Sequence, residues 1–366
     1  MQTEELYIKH SRVRALLRRE GLDALLLRRV SSFAWFTGGA AGYVTTNCEI
    51  GPSSILITPD AKYVITDTIE APRLREEEKL EEKGFILRIA PWYESQDVVA
   101  QLTSGLRVGC DGPYPGMVDL SASVSSLRRS LLRQEVVRFG VLGRACGSAL
   151  EKAARSVTPG LTEYEISSLV AQEAWARGIT PILILVAVDQ RVFDFRHPLP
   201  TDMPLQRYAM LVLCGRNWGL IASCTRLVHF GPLPADLKRK QESVARVDAT
   251  LIAGTRPGVR VADIFGAAVQ TYAAEGYPEE WTLHHQGGCA GYEGRECKAT
   301  LECAEVVHQG EAFAWNPSIT GTKSEDTIIV GSDENEIITA TGAWPTIAVE
   351  INGRTILRPA VLELPL

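Results

Sequence analysis

One stretch of the chain reads His284-His285-Gln286-Gly287-Gly288-Cys289-Ala290-Gly291-Tyr292-Glu293-Gly294-Arg295-Glu296. It combines two adjacent imidazoles, four glycines, a thiol, a guanidinium and two carboxylates, and it offers almost no apolar side chain to bury. Such a composition predicts neither a helix nor a core strand. Because glycine lets a backbone approach a ligand closely, the polar groups beside it can converge on one point. The stretch therefore predicts the wall of an active-site cleft, and a glycine-rich surface loop with incidental charges is the alternative.

The bulk composition is that of a globular protein with two domains. The chain has 366 residues, 45% of them hydrophobic, and a formal net charge of −6. This length favours two cores, and the negative charge argues against a nucleic-acid or membrane-surface binder. No apolar run is long enough to span a bilayer, and the N-terminus is acidic rather than basic and then apolar, so we expect a cytoplasmic protein. The eight cysteines form no CxxC pair and are expected to be free thiols.

The first third of the sequence alternates helical and strand patterns, which is typical of an α/β domain with a mixed or parallel sheet. We predict helices over residues 4–20, 69–83 and 120–132, and strands over residues 22–27, 54–57, 63–66, 85–89 and 107–110. This domain, residues 1–132, concentrates no catalytic groups, so we assign it a role in shaping the cleft or in dimerisation.

The remaining residues, 133–366, carry an internal repeat. A helix predicted over residues 134–157, with a stripe of small apolar residues (Val137, Val141, Ala145, Ala149, Ala153), leads to Pro159-Gly160 and a capping box of Thr162 and Glu165. A similar pattern recurs at Pro257-Gly258, and both copies end at a stop glycine, Gly178 or Gly276. Predicted strands follow each copy, over residues 182–188, 209–214, 220–227, 311–317 and 326–330. The layout predicts an α+β domain with helices on one face of an antiparallel sheet and a site in the seam between the halves.

Several segments of the chain resemble the M24 or pita-bread superfamily, which contains methionine aminopeptidase, aminopeptidase P, prolidase and creatinase. The matching segments are Pro159–Ile166, Phe195–Pro198, Ala222–Arg226, His285–Gly288 and Ser324–Thr327. The resemblance implies a creatinase-type N-terminal domain, a pita-bread domain with a pseudo-twofold repeat, and a homodimer.

The same resemblance identifies the positions at which the family's peptidases hold two divalent ions, with two Asp, one His and two Glu. In this sequence those positions carry Cys214, Ser223, His285, Asn316 and Glu325. Only two keep the ligand type, so we expect neither the dinuclear site nor another cofactor. A lone Zn²⁺ held by Cys214, His285 and Glu325 is the alternative.

The resemblance to creatinase implies that the fold can hydrolyse a carbon–nitrogen bond without metal, with a histidine as acid and base. His197 occupies the position of the family's first active-site histidine, and an imidazole is suited to that proton transfer. His285 is expected to bind or polarise the substrate, and Glu325 to orient an imidazole or a water. The alternative for His197 is a half-buried side chain that caps the turn before Pro198.

Other side chains near these positions are candidates for substrate binding. Arg295 and Lys323 are cations that suit a substrate carboxylate, although each is equally suited to a structural salt bridge. Cys214 is either a nucleophile or a buried structural cysteine. His284 is also a substrate-binding candidate, and the alternative is that it is the bystander of its pair, because adjacent side chains of an extended segment point in opposite directions. The remaining substrate-binding candidates are Tyr292, Asn316 and Ser223, and Tyr292 is expected, like Trp315, to form a cleft wall.

The leading hypothesis is a metal-independent hydrolase, or a related lyase, that acts on a small amide, guanidino or dipeptide-like compound. One alternative is an inactive pseudo-peptidase that binds a peptide or metabolite. A second is an Xaa-Pro peptidase with an atypical metal site. In each case the expected partner is a small molecule or short peptide, not a nucleic acid or a membrane.

Overall fold

The computed structural model describes residues 2–94 and 97–366, and the chain divides into two compact units. One unit comprises Met1–Glu135 with Trp218–Leu220, and the other comprises Val136–Asn217 with Ile221–Leu366. The domain boundary between residues 132 and 133 stays a prediction, because the long helix Arg133–Arg155 runs across the point at which the units divide.

The first unit is built around a six-stranded mixed sheet. Its elements are α1 (Gln2–Glu20), β1 (Ala24–Arg29), α2 (Val30–Thr37), β2 (Ile50–Ile57), β3 (Lys62–Asp67), α3 (Ala71–Glu76), β4 (Ile86–Ala90), α4 (Val98–Thr103), β5 (Val108–Cys110), β6 (Val118–Asp119) and α5 (Ser121–Arg129). The strand order is β4-β3-β2-β1-β5-β6. Strand β2 runs antiparallel to β1 and β3, while β3–β4, β1–β5 and β5–β6 are parallel pairs. The α/β prediction for this part of the chain is confirmed.

The second unit combines two four-stranded sheets with four longer helices. Its elements are α6 (Arg133–Arg155), α7 (Glu163–Trp175), β7 (Thr180–Val188), α8 (Gln190–Asp194), β8 (Tyr208–Asn217), β9 (Leu220–Phe230), α9 (Ala235–Gly254), α10 (Val261–Ala274), a 3-10 turn (Glu280–Thr282), β10 (Gly287–Ala290), β11 (Ala312–Trp315), β12 (Ser318–Ile319), β13 (Thr322–Lys323), β14 (Asp326–Ile329), β15 (Glu336–Ile337), β16 (Thr346–Ile351), β17 (Arg354–Pro359) and β18 (Leu362–Leu364). The sheet orders are β18-β9-β8-β7 and β10-β11-β14-β15, and β12–β13 and β16–β17 form separate hairpins.

The helices of this unit occur as two successive pairs, α6–α7 and α9–α10, as the internal repeat predicts. The capping box at the start of α7 is present: the backbone N–H of Glu165 donates to Thr162 Oγ1 at 3.2 Å, and the backbone N–H of Thr162 donates to Glu165 Oε2 at 2.8 Å. Both predicted stop glycines lie just beyond their helices with positive φ, +70° for Gly178 and +86° for Gly276. A glycine adopts that conformation without the steric cost that a Cβ brings.

Two sequence-based details of the helices are wrong. The helix predicted over residues 69–83 ends at Glu76, and Lys79 has a φ of +52°. Consecutive carboxylates at residues 76–78 are unfavourable at the negative end of a helix, which accounts for the early stop.

The apolar stripe of α6 is also displaced from its predicted position. Val137 and Val141 are 60% and 47% exposed, whereas Phe139, Leu142 and Cys146 are buried. A stripe drawn in steps of four residues drifts by about 40° at each step, because the helix has 3.6 residues per turn. Its first members therefore leave the face that Ala149 and Ala153 bury.

Among the residues that the structure describes, no helix has both the length and the apolar composition that a bilayer crossing requires.

Candidate active site

Strand β10 carries the glycine-rich stretch into the core. It is buried throughout and pairs with β11, so that Gly287 lies opposite Trp315 and Gly288 opposite Ala314. The expectation that this stretch forms no core strand is therefore wrong. A Cβ on Gly287 would lie 2.1 Å from Ala314 O, and one on Gly288 would lie 2.1 Å from Cys297 O. The two glycines are thus required because neighbouring backbone packs against them. The charged and imidazole side chains of the stretch come before and after the strand.

Three imidazoles meet just before β10. The Nε2 atoms of His197 and His284 are 3.1 Å apart. The ring centroid of His285 lies 4.7 Å from that of His284 and 5.7 Å from that of His197. His284 is therefore no bystander, because residues 284 and 285 precede the strand and the alternation of an extended segment does not apply to them. Its Nδ1 makes a 3.2 Å hydrogen bond with Ser318 Oγ, which fixes the ring.

All three imidazoles are held in the neutral form. Burial lowers the pKa of His284 to about 2, with a further contribution from the charge of Lys323. Burial and the charge of Arg295 lower the pKa of His285 to about 4. His197 is the most exposed of the three, and partial burial together with Lys323 lowers its pKa as well. A general base must start in the neutral form, but a pKa of about 2 or about 4 makes His284 and His285 weak bases, so His197 is the best suited of the three to accept a proton.

The buried carboxylate of Glu325 lies within electrostatic range of His197 and His285. Lys323 Nζ is 2.8 Å from Glu325 Oε2, and Thr225 Oγ1 donates to the same oxygen at 2.6 Å. Arg295 Nη2 is 3.5 Å from Glu325 Oε1. Burial opposes ionisation of Glu325, but Lys323 and Arg295 outweigh it and keep the pKa of the carboxyl below its usual value. In the described part of the chain, the carboxylate of Glu325 pairs with two cations and accepts a hydrogen bond from one hydroxyl. No hydrogen bond between this carboxylate and an imidazole is found among these residues.

The other candidate positions lie on neighbouring strands. Ser223 Oγ, on β9, donates to Cys214 Sγ, on β8, at 3.2 Å. Burial and the charge of Glu325 raise the pKa of the Cys214 thiol, which disfavours the thiolate that a nucleophile requires. The backbone N–H of Asn316 donates at 3.0 Å to the backbone oxygen of Gln286, the residue that follows His285 in the sequence.

Within the described residues, three buried polar atoms near the cluster have no hydrogen-bond partner. They are His285 Nδ1, Arg295 Nε and Asn316 Oδ1. Buried polar groups are normally satisfied, so three orphaned atoms from one site indicate a polar ligand that completes them. They include both donor and acceptor types, as expected for a ligand with more than one functional group.

The predicted cleft walls are placed differently. Trp315 is fully buried in the core, where it stacks on Phe313 and its Nε1 donates to Thr255 Oγ1 at 3.0 Å. The expectation that Trp315 lines the cleft is therefore wrong, because its position on β11 points the ring into the helix–sheet interface of α9 and α10. Tyr292 is also buried, with 1% of its surface exposed.

The residues present do not match the donor set of a two-metal centre. Of the five positions that the resemblance assigns to metal ligands, only Glu325 offers a carboxylate, and Lys323 already pairs with it. The thiol of Cys214 is held protonated, and two divalent ions would lie beside Lys323 and Arg295 without enough negative charge to offset them. The three imidazoles have ligand nitrogens that all lie within 4.8 Å of one another, a spacing suited to one ion, but the same cations oppose it.

Comparison with known proteins supplies the family. The model of metallopeptidase family M24 matches residues 141–332, and the model of the creatinase/prolidase N-terminal domain matches residues 9–137. An agropine synthesis cyclase from Rhizobium rhizogenes is 24% identical over 306 residues, which cover 69% of this chain and 74% of that protein.

Solved structures show the same fold over nearly the whole chain. An Xaa-Pro dipeptidase from Bacillus anthracis has a TM-score of 0.79 at 20% identity and covers 98% of this chain and 100% of its own. A prolidase from Pyrococcus horikoshii has a TM-score of 0.78 at 17% identity and covers 91% of this chain and 98% of its own. The predicted fold class, a creatinase-like domain followed by a pita-bread domain, is thereby confirmed. The chain belongs to metallopeptidase family M24, in its creatinase- and prolidase-like branch.

Proposed function

We propose that this M24 protein hydrolyses a carbon–nitrogen bond in a small amide or dipeptide-like compound, with an imidazole as acid and base and without a dinuclear metal centre. Membership of the family supports a hydrolase of the peptidase type. The observation that carries the finer proposal is the contact between His197 and His284, at 3.1 Å, beside a carboxylate that already pairs with Lys323.

His197 is the proton-transfer group in this proposal. It is the most exposed of the three imidazoles, so a substrate can reach it, and its lowered pKa keeps the ring in the neutral form from which a base starts. It takes a proton from the attacking water and later gives that proton to the leaving nitrogen. His284, tied to Ser318, fixes the position of the His197 ring, and His285 offers its unpartnered Nδ1 to the substrate.

Arg295 is the group that we assign to a carboxylate of the substrate. Its Nη2 lies 3.5 Å from Glu325, and its buried Nε has no hydrogen-bond partner within the described part of the chain. Nη1 of Arg295 donates to Gly294 O at 2.6 Å, so Nε is the N–H that we assign to the substrate carboxylate, in a charge-assisted hydrogen bond. Asn316 Oδ1 is a matching acceptor for an N–H of the substrate.

The test is a turnover screen of the purified protein with Xaa-Pro dipeptides, N-acyl amino acids, simple amides and guanidino compounds, with and without EDTA. We expect turnover of an amide that EDTA does not abolish, and a loss of about 10²-fold or more in kcat for His197→Ala. His308→Ala, which removes an exposed imidazole distant in sequence from the cluster, is the matched control and should retain activity. Loss of activity with EDTA and its recovery with stoichiometric metal would reject the proposal in favour of an atypical metallopeptidase. Thermal stabilisation by a ligand without turnover would favour a binding module.

A second candidate function is intramolecular cyclisation. The relative from Rhizobium rhizogenes is named a cyclase, and ring closure needs the same general base with a substrate group in place of water. Turnover in H₂¹⁸O separates the two reactions, because hydrolysis places ¹⁸O in the product and cyclisation does not. The homodimer and the cytoplasmic location stay predictions, since they derive from the resemblance and from composition.

A further inference from the structure

Lys323 occupies an unusual place for a lysine. It lies on the short strand β13, opposite Ser318 of β12, and its side chain is only 4% exposed. Lysine side chains are almost never fully buried without a partner, because the ammonium loses its hydration. Here the ammonium is directed at Glu325, two residues further along, and lies 2.8 Å from Oε2.

The ammonium also lies within electrostatic reach of the imidazole cluster. Burial is the largest cause that lowers the pKa of His197 and of His284, and the charge of Lys323 is the second largest for both. The geometry agrees, because Ser318, the cross-strand partner of Lys323, makes a 3.2 Å hydrogen bond with His284 Nδ1. Lys323 is therefore central to the site and not a neighbour of Glu325 alone.

Both oxygens of the Glu325 carboxylate face organic cations. Oε2 contacts Lys323 Nζ, and Oε1 faces the guanidinium of Arg295 at 3.5 Å. A metal bound to this carboxylate would lie about 2.0–2.2 Å from one oxygen. An ammonium at 2.8 Å from Oε2 already fills the space and supplies the positive charge on that side.

We infer that Lys323 is the resident cation of this M24 site: its ammonium takes the place of a divalent ion beside Glu325 and stabilises the oxyanion that forms on the substrate. The inference rests on the proposed hydrolysis. As the water oxygen bonds to the carbonyl carbon, His197 takes the proton of the water and the carbonyl π pair moves onto the oxygen beside Lys323. When the carbon–nitrogen bond breaks, that pair re-forms the carbonyl, and His197 protonates the departing nitrogen.

This role narrows the class of substrate. A neutral amide carbonyl becomes anionic in the transition state, and a fixed cation stabilises that state more than the ground state. A guanidinium group is already positive, and Lys323 and Arg295 would repel it. The substrate is therefore an amide with a neutral reacting carbonyl, and guanidino compounds are excluded from the reacting position.

The first test measures binding of Mn²⁺ alone by calorimetry, which does not depend on knowing the substrate. In Lys323→Met the ammonium is removed while the length of the side chain is kept, so the carboxylate of Glu325 becomes available. We expect this variant to bind Mn²⁺ at least about 10-fold more tightly than the wild type, because one opposing charge is gone. Lys323→Arg, which keeps the charge, and Lys238→Met, which removes an exposed cation on helix α9, should bind as the wild type does. Equal affinity in Lys323→Met and wild type, or tight stoichiometric binding by the wild type, would overturn the inference.

The second test uses the amide that the wild type turns over. We expect kcat to fall by about 10²–10³-fold in Lys323→Met, the usual effect of removing one oxyanion-stabilising group, with a smaller change in KM. Lys323→Arg should recover part of kcat, and Lys238→Met should equal the wild type. Melting temperatures show whether each variant is folded, and wild-type kcat in a folded Lys323→Met would overturn the catalytic role. If no compound in the screen is turned over, the proposed hydrolysis fails, and the Mn²⁺ titration still decides whether Lys323 is the resident cation.

Discussion

The neutral imidazole of His284 makes the stability of the protein sensitive to acid. Its side chain is buried, with 7% of the residue exposed, and burial with the nearby Lys323 lowers its pKa to about 2. In the unfolded chain a histidine has a pKa of about 6.5. Since the folded pKa lies below the unfolded one, protons bind first to the unfolded state as the pH falls. The stabilising contribution is thus complete above about pH 6.5 and is lost progressively toward the folded pKa.

The size of this effect follows from the two pKa values. Between pH 7 and pH 5 the unfolded state gains about 0.7 of a proton at residue 284, while the folded state gains almost none. The corresponding loss in the free energy of unfolding is about 2 kcal/mol from His284 alone.

Urea unfolding at pH 7, 6 and 5 measures this loss directly. We expect the wild type to lose about 2 kcal/mol more than His284→Asn between pH 7 and pH 5, because the variant has no imidazole to protonate at that position. His308→Asn removes an exposed imidazole and serves as the control, with the pH dependence of the wild type. Equal losses for the wild type and His284→Asn would refute a buried, neutral His284.

Two further substitutions test the packing around the site. Gly287→Ala is expected to cost more than about 2 kcal/mol of unfolding free energy, since Gly287 has a φ of +106° and its Cβ would lie 2.1 Å from Ala314 O. Gly294→Ala, whose Cβ meets nothing within 4 Å, should change it by less than about 0.5 kcal/mol, and similar urea midpoints for the two variants would contradict the packing argument. Asp326→Asn removes one of two buried counter-charges from both Arg226 and Arg358, which lie 3.1 Å and 2.7 Å from its carboxylate. Arg226 keeps Glu151 and Arg358 keeps Asp248, so we expect a loss of about 3 kcal/mol, the lower end of the range for breaking a buried ion pair. The control is Asp236→Asn, because the pair of Asp236 with Arg239 is exposed. Equal melting temperatures for Asp326→Asn and Asp236→Asn would show that the buried network contributes nothing.

Local signals in the sequence were sufficient for much of the fold. The Thr162–Glu165 capping box needs only a hydroxyl and a carboxylate three residues apart, and the structure forms both of its hydrogen bonds. The stop glycines are equally local, because the left-handed backbone at Gly178 and Gly276 depends on one residue each. Most strands of the first unit were predictable from short aliphatic runs between turn residues.

Features that depend on tertiary packing were not predictable in this way. Helix α2 (Val30–Thr37) is buried on every side, so it has no polar face and no helical periodicity to recognise. Strand β10 contains two glycines and few apolar side chains, and it is a core strand because β11 and the backbone of residue 297 pack closely against it. Neither the burial of α2 on every side nor the packing against β10 can be recognised within one segment of sequence.

The candidate site, like the fold, was predictable from the sequence only in part. The resemblance to the M24 family, together with the glycine-rich polar stretch around His285, was sufficient to select His197, His285 and Glu325 as candidates. The contact of His197 with His284 was not predictable, because 87 residues separate them and the rule of alternating side chains pointed the wrong way. The pairing of Lys323 with Glu325 had a weak local signal in their spacing of two residues, which places both side chains on one side of an extended segment.

Charge balance links the roles that we assign to Lys323 and Arg295. Together they bring two positive charges to a site in which Glu325 supplies one negative charge, and the neutral imidazoles add none. A buried excess of positive charge is costly unless an anion offsets it. A substrate carboxylate on Arg295 supplies that anion in the ground state, and this leaves Lys323 to respond to the charge that develops on the carbonyl oxygen. An amide without a carboxylate should therefore bind more weakly, and the difference should disappear in a variant that lacks the guanidinium of Arg295.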